Sequence, residues 1–584
     1  MTTLRLLAFT GEIPRMLPRL LPEGAAVEAF NTRLDDGGLT PIRLSRFAYH
    51  FPSVPAGGYK TIYRNGDEWL AWPGVVNAVP GPVAQDRLYI FGDGVPKMRV
   101  AGANYGLAVT RPIVPLTATV SGTPTTPGTN VTRLYVFTNV TQFGEESEPC
   151  DISNEADWSP GQTVTLSGFT TTMTNGRTAV TQRIYRSQTG QTGTQLYFIA
   201  ERAASAANFV DTVPVDAIQE PLPSLDWNAP PAGLKGGIAL PNGMMAAFQG
   251  KDVYFCEPYI LHAWPEKYVL TVDYPIVGLG AYGNTLVVMT EGHPYIITGS
   301  APESMSSEKL ELNLPCINVR GIQDLGYAVA YPTHEGLVLV SNGSANVGSA
   351  QLFSRDDWQR MLPRTMVSGQ FNGRYLACYS YSDDAGNEYS GTIIFDVTGS
   401  QPFIIRSDIA PDAFFYDMVA GELFFLDGAD VYTWDAVGEV NALQYWKSKE
   451  FVLPRPTNFG AILIEADGAL TEEEAAAIEA RRAALIAENE AMIAEGNLGG
   501  ELNGADLNTY AVNGDRLNDI PGLNRTVSVS IYADDEHVAT VSTINRMARL
   551  PSGFLARKWK VGVSSDMPIS QIALATTGAE LMEV

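Results

Sequence analysis

The sequence predicts a mainly β chain: a degenerate β-propeller, a β-sandwich inserted into it, and a C-terminal β-sandwich interrupted by one long helix. Three observations predict this. Between 236 and 436, Gly-led pairs of apolar strands recur roughly every 40 residues, which is a blade rhythm. A Thr- and Ser-rich, charge-poor stretch of longer strands at 116–222 breaks into that rhythm. Helical patterning of any length is confined to 470–495, on a chain whose 55 Gly, 37 Pro, 25 Tyr and 23 Phe favour short strands and turns. At 584 residues the chain exceeds a single hydrophobic core, so several domains are expected.

Residues 1–44 form a proline-rich arm. Its stretch 11–44 reads GEIPRMLPRLLPEGAAVEAFNTRLDDGGLTPIRL. Pro14, Pro18 and Pro22 recur every four residues, and each fixes φ and withdraws an N–H. The first part is therefore expected to be extended and docked on something else. Leu21-Pro22-Glu23-Gly24 should hand over to a short helical turn over 25–31, and Asp35-Asp36-Gly37-Gly38 should turn the chain into a strand over 39–44. The opening has no charged-then-apolar run ending in a small-residue cleavage site, so no signal peptide is predicted.

Residues 45–115 and 223–440 carry the hairpin pattern of the propeller. The strongest turn signal is Asn65-Gly66, and a second hairpin turns at Gly92-Asp93-Gly94. After the interruption the pattern resumes in Gly-led units starting near Gly250, Gly283, Gly326, Gly373 and Gly421. No W-D or kelch signature repeats, so the blades are degenerate; an irregular antiparallel barrel or sandwich is the competing architecture. The inserted segment 116–222 fits about seven strands without the Cys…Trp…Cys of antibody domains. Its run from Tyr135 through Pro149, with the later Ile184-Tyr185-Arg186-Ser187, resembles fibronectin III-like modules of phage structural proteins.

Residues 441–465 and 526–584 read as strands of a C-terminal β domain, split by an insertion at 466–525. In that insertion Thr471 and Glu474 make a T-x-x-E capping box at the head of the helix 470–495. Ile478, Leu485 and Met492 form a narrow apolar stripe, suited to one partner within the subunit or on a neighbour. The Leu-Asn-Gly-rich repeat after it reads as turns or loop.

The chemistry of catalysis is mostly missing. The histidines His50, His262, His293, His334 and His537 are too dispersed for a metal motif, and no G-x-S-x-G elbow, P-loop or G-x-G-x-x-G occurs. Cys150, Cys256, Cys316 and Cys378 lie far apart, which fits neither a disulfide framework nor a zinc site and implies folding in a reducing cytoplasm. Acidic residues near blade turns (Asp252, Asp383, Asp384, Asp396, Asp427, Asp430) are weighed as a glycosidase pair, but acidic turn residues are common for backbone reasons. His334-Glu335 reads as a turn, and so does 383–388, which lacks the alternation of a calcium loop. No cofactor or metal is expected, and no apolar run is long enough to span a membrane. The net charge of −25 opposes wrapping nucleic acid; it serves simple solubility, and it would also suit an acidic conduit that offers DNA nothing to stick to.

Two stretches carry a family resemblance. Ile13, Pro14, Arg15, Pro18, Arg19, Leu20, Leu21, Pro22, Asn31, Gly38, Leu39, Pro41 and Arg43 resemble the opening of tail nozzle (tail tubular protein B-like) proteins of short-tailed bacteriophages (podoviruses). Beyond the last blade, Trp446, Lys447, Ser448, Lys449, Pro454, Asn458 and Phe459 match the aromatic-basic-Ser-Lys strand of the same family. The resemblance implies a non-enzymatic virion protein of the viral tail. It would be a homo-hexamer around a channel for double-stranded DNA, docked on a tail adaptor protein ring and carrying tail fibres at its side. It further implies that the tail tube retains the packaged genome and conducts DNA ejection, with subunit contacts from the arm and from 444–465. The alternative is a β-propeller that binds or hydrolyses carbohydrate.

Overall fold

The computed structural model describes residues 3–82, 86–126, 128–190, 193–217, 219–382, 386, 388–399, 401–467, 472–494 and 525–582. The chain is mainly β, and among the described residues no sheet closes on itself. It divides into two compact units, one of 1–62, 334–338 and 346–584, the other of 63–333 and 339–345.

The second unit holds blade-type meanders and the inserted sandwich. One four-stranded antiparallel sheet runs Lys235–Leu240, Met244–Gln249, Asp252–Phe255, Leu270–Thr271; the next runs Ile276–Tyr282, Thr285–Thr290, Tyr295–Thr298, Ser306–Lys309. A third is Asn77–Pro80, Arg87–Gly92, Gly94–Val100 and Ala103–Gly106, bulged between Gly94 and Lys97. The central strands are apolar on both faces, as in Thr285–Thr290 with Leu286, Val287, Val288 and Met289 all buried. That is the signature of strands covered on two sides rather than one.

Within 116–222, two three-stranded sheets and a two-stranded ribbon make the sandwich. Its core gathers Tyr135, Phe137, Val164, Leu166, Ile184 and Tyr185. At its heart the Asp211 carboxylate accepts from Tyr135 Oη at 2.8 Å and Arg186 at 2.7 Å, with Arg133 at 3.4 Å. Arg133 also stacks 3.5 Å over Trp158.

The first unit joins the two ends of the chain. The sheet with Ala413–Asp417, Glu422–Asp427 and Asp430–Thr433 takes its fourth strand from Arg46–His50. The strands Val367–Phe371, Arg374–Ser382, Glu388–Asp396 and Phe403–Ser407 start a ten-stranded sheet that continues through Ala26–Phe30 into Gln444–Ser448, Ala556–Ser565, Val527–Ala533 and Glu536–Val541. A second sheet, Thr3–Leu6, Ile569–Ala575, Ala461–Ala466 and Ala548–Arg549, completes the C-terminal sandwich. Trp446, Val529, Ile531, Val561 and Val563 from one sheet share a core with Ile462, Ile464, Ile572 and Leu574 from the other. Each such buried side chain contributes about 1.5–3 kcal/mol of hydrophobic stabilisation.

Three local expectations are corrected. Residues 25–31 are not a helical turn: Ala26–Phe30 is a strand, antiparallel to Gln444–Ser448 and parallel to Phe403–Ser407. The Ala- and Glu-rich sequence favours helix locally, but two waiting strand edges satisfy the backbone better, so tertiary pairing overrides propensity. The arm is not extended through its prolines either, since Pro18–Leu20 is a 3₁₀ turn with Pro18 at its first position. The expected strand 39–44 shrinks to Thr40–Pro41, paired with Thr32–Arg33, while Leu39 and Arg43 make single bridges to Ile569 and Asn441. The helix spans Glu472–Ala494, with Ile478 and Leu485 buried. The capping residue Thr471, most of the 383–388 turn and the Leu-Asn-Gly repeat lie outside the described residues.

Candidate functional site

The two motif stretches meet. Trp446 is fully buried; its indole Nε1 donates to the Thr10 carbonyl at 3.1 Å, and its ring stands edge-on to Phe9 with centroids 5.0 Å apart. Gly11 passes so close to the blade strand that a Cβ there would lie 2.3 Å from the Ile404 carbonyl oxygen, so only glycine fits. Glu12 follows, 3% exposed, bridging Ala26 on one side and Ile404 on the other. Its carboxylate accepts from the Ala29 N–H at 2.8 Å and from Arg406 Nε at 2.9 Å.

Leu21 is buried, and its carbonyl accepts from Lys449 Nζ. The Lys449 N–H reaches the Ala25 carbonyl at 3.2 Å, and Lys447 lies 3.7 Å from Glu28. Ser448 Oγ accepts from the Val561 N–H at 2.9 Å. Asn31 takes a left-handed backbone (φ 52°), donating its N–H to the Arg406 carbonyl and its amide to Asp408. Phe459 is fully buried, edge-on to Trp559 at 4.8 Å, and Asn458 donates to the Pro551 carbonyl at 3.3 Å.

Pro14, Arg15, Pro18 and Arg19 stay at the surface and Pro22 is half-buried. Arg15 is anchored through the Leu352 and Ala350 carbonyls. Beside them Met16, Leu17 and Leu20 are exposed. The strand Gln444–Ser448 is paired along both edges, with Ala26–Phe30 on one side and Ala556–Ser565 on the other. Glu12, Phe9 and Arg406, which complete this junction, were missed in the sequence. The signal available was a lone charge, Glu12, set between Gly11 and the apolar Ile13.

Among the described residues, most of the weighed carboxylates have separate partners of their own. Asp252 accepts from Thr271 at 2.6 Å, Asp396 pairs with Arg374 at 2.9 Å, and Asp430 faces His50 at 2.7 Å. Asp427 sits opposite Asp430 across a hairpin; Asp383 and Asp384 lie outside the described residues. His334 and Glu335 each meet an arginine, Arg364 and Arg355. No group of three His, Cys, Asp or Glu among the described residues could hold a metal.

One cleft does collect polar chemistry. It occupies about 300 Å³ in the second unit and is lined by Arg87, Glu145, Glu146, Arg183, Trp227, Tyr259 and His262 among others. Arg177 grips Glu145 at 2.6 and 2.9 Å, while Glu146 accepts from Thr138, Tyr185 and Arg183 at 2.7–2.8 Å. Burial alone would raise the Glu145 carboxyl, but the Arg177 hydrogen bonds outweigh it and hold it below the ordinary range. His262, whose Nε2 lies 2.9 Å from the Glu146 carbonyl oxygen, is pushed below its usual value by burial.

No family model matches the chain, and no curated protein does. Among solved structures, the chain is similar to the N-terminal domain of Nup159 at 10% identity, over 46% of this chain and 69% of that one, with a TM-score of 0.22. It is also similar to Hsv2 from Kluyvelomyces marxianus at 7%, over 49% and 71%, TM-score 0.21. An exo-β-1,3-galactanase from Phanerochaete chrysosporium aligns at 7% over 91% and 100%, TM-score 0.17. None of the three is a phage tail protein, and at such scores no argument rests on them. No described helix is long and apolar enough to cross a membrane.

Proposed function

We propose that the chain is a structural subunit of a short-tailed phage tail nozzle, working in the virion as a homo-hexameric ring whose channel retains and then conducts double-stranded DNA. The observation that supports this reading is the junction of Trp446, Phe9, Thr10 and Glu12. The two stretches that resemble the nozzle family lie some 400 residues apart, yet they touch: Ala26–Phe30 pairs with Gln444–Ser448, and Lys449 Nζ donates to the Leu21 carbonyl. Such a junction has a mechanical use, because it ties the arm, a blade strand and the C-terminal sandwich into one body. The net charge of −25 fits a lumen that repels the polyanion it passes.

On this reading the exposed face of the arm, with Met16, Leu17 and Leu20, is where a neighbouring subunit or the adaptor ring would bind. The test is the symmetry and mass of the particle. Electron micrographs of the purified protein, alone or with its adaptor ring, should show six-fold rings of about six times the 63.1 kDa chain mass. A protein that stays monomeric in both settings would sink the proposal.

A further inference from the structure

The cleft around His262 has the makings of a ligand site that the ring reading does not use. His262 is 7% exposed and lines the cleft. A carbonyl can only accept, so the ring carries its proton on Nε2, toward Glu146, and presents a lone pair on Nδ1. Among the described residues no donor meets that Nδ1. Arg87 also lines the cleft; it donates to the Phe143 carbonyl at 3.1 Å and hydrogen-bonds the Tyr89 hydroxyl, and it has no carboxylate partner among the described residues. The lining thus offers one unfilled acceptor and one guanidinium with donors to spare.

The walls between these groups are aromatic. Trp227 stands edge-on to His262 at 5.8 Å. Tyr259 is 60% exposed and holds a left-handed backbone at φ 63°, an uncommon and strained state for an aromatic residue. The loop is fixed there by its N–H to the Gly243 carbonyl at 2.9 Å, and its ring lies over Gly243, where a Cβ would sit 2.4 Å from ring atoms. The fold therefore keeps an exposed tyrosine beside the cleft at some cost in strain.

The chemistry of the lining selects the ligand. Formal charges in and around the lining cancel, since Glu145, Glu146 and Glu201 are matched by Arg177, Arg183 and Arg87. A phosphate-bearing ligand would meet both carboxylates, and a purely apolar one would leave Nδ1 and the spare donors of Arg87 unmatched, which is costly. A neutral polyhydroxylated ring satisfies both, with its C–H face on tyrosine or tryptophan and its hydroxyls on Nδ1 and the guanidinium. We propose that this cleft binds a neutral saccharide, of roughly one or two sugar rings for a cavity at the small end of ligand sites. It binds without cleaving, because both carboxylates are already held by arginines.

Saturation-transfer NMR on the full chain tests this, with glucose, galactose, N-acetylglucosamine, maltose and cellobiose as probes, and glucose 6-phosphate and glucuronate as anionic counterparts. At least one neutral sugar should receive saturation on its ring protons. Tyr259→Ala and Arg87→Ala should each weaken that transfer about tenfold, with far-UV circular dichroism and melting unchanged to show that the fold survives. Absence of transfer to every neutral sugar, stronger binding of the anionic sugars, or transfer indifferent to both substitutions would overturn the proposal. Because the readout is sugar binding rather than ring formation, its failure leaves the nozzle reading standing, and the reverse holds too.

Discussion

The indole nitrogen of Trp446 lies 3.1 Å from the carbonyl oxygen of Thr10, 436 residues earlier in the chain. This contact fixes the backbone just before Gly11 and Glu12, the two residues that pass against the blade strand.

Trp446→Ala should therefore destabilise the first unit by about 3–5 kcal/mol, through a cavity in a fully packed core. Trp446→Phe keeps most of the ring but loses the hydrogen bond to Thr10, and should cost about 1–2 kcal/mol. Urea unfolding of both variants checks this. Limited proteolysis adds a local readout, with new cleavage expected in the arm before any in the second unit.

Gly11→Ala tests the close approach directly. The added methyl would meet backbone at Ile404, which cannot swing away as a side chain can. A loss of about 1–3 kcal/mol is expected, comparable to overpacking a core. Gly57→Ala is not a fair control, because Gly57 needs positive φ, but Gly74→Ala is, since nothing lies within 4 Å of its Cβ. If Gly11→Ala and Gly74→Ala melt alike, the arm does not dock as described.

In the sandwich, Asp211→Asn removes the charge that balances Arg133 and Arg186 in a site without solvent. About 3–5 kcal/mol should be lost, because two guanidinium groups are left buried and uncompensated. The expected sign is early unfolding of 116–222, visible as rapid amide hydrogen exchange there while other sheets stay protected.

The second unit should weaken toward acid in two stages. Burial keeps the His262 pKa below its usual 6.5, so the unfolded chain takes up a proton that the folded one refuses. The contribution is complete above that pH and is lost as pH falls through the depressed value. Glu145, held below its usual 4.5, adds a second loss below that pH. Urea midpoints measured at pH ~7.5, ~6.5 and ~5.5 should fall with acidity, and His262→Gln should flatten the step between the last two.

Much of this was legible in the sequence, and the parts that were not have a common cause. The blade meanders announce themselves through Gly-led turns such as Gly283 and Gly421, because turn chemistry and apolar alternation are local properties. The strand Ala26–Phe30 did not, since its conformation is imposed by Gln444–Ser448 and Phe403–Ser407, partners some 400 residues away. At the junction, Trp446 and Leu21 could be picked out as motif residues, while Phe9 and Arg406 could not, because only the folded chain brings them together. The cleft was less visible still. In the sequence His262 is one of five scattered histidines; what distinguishes it is its burial against Glu146 and the strained Tyr259 nearby.

The closing of the Asp430–Thr433 sheet by Arg46–His50 bears on the order in which the protein is born. At about 5–20 residues per second, a ribosome that has released His50 needs roughly 20–80 s to reach Asp430, 380 residues on. Thr3–Leu6 waits longer still, for Ile569–Ala575. The second unit can fold while synthesis continues, but in the first Thr3–Leu6 keeps an unpaired edge until Ile569–Ala575 emerges. A nascent chain cut short before Ile569 would thus carry a finished second unit, while Thr3–Leu6 and Ala461–Ala466 lacked the strand that lies between them.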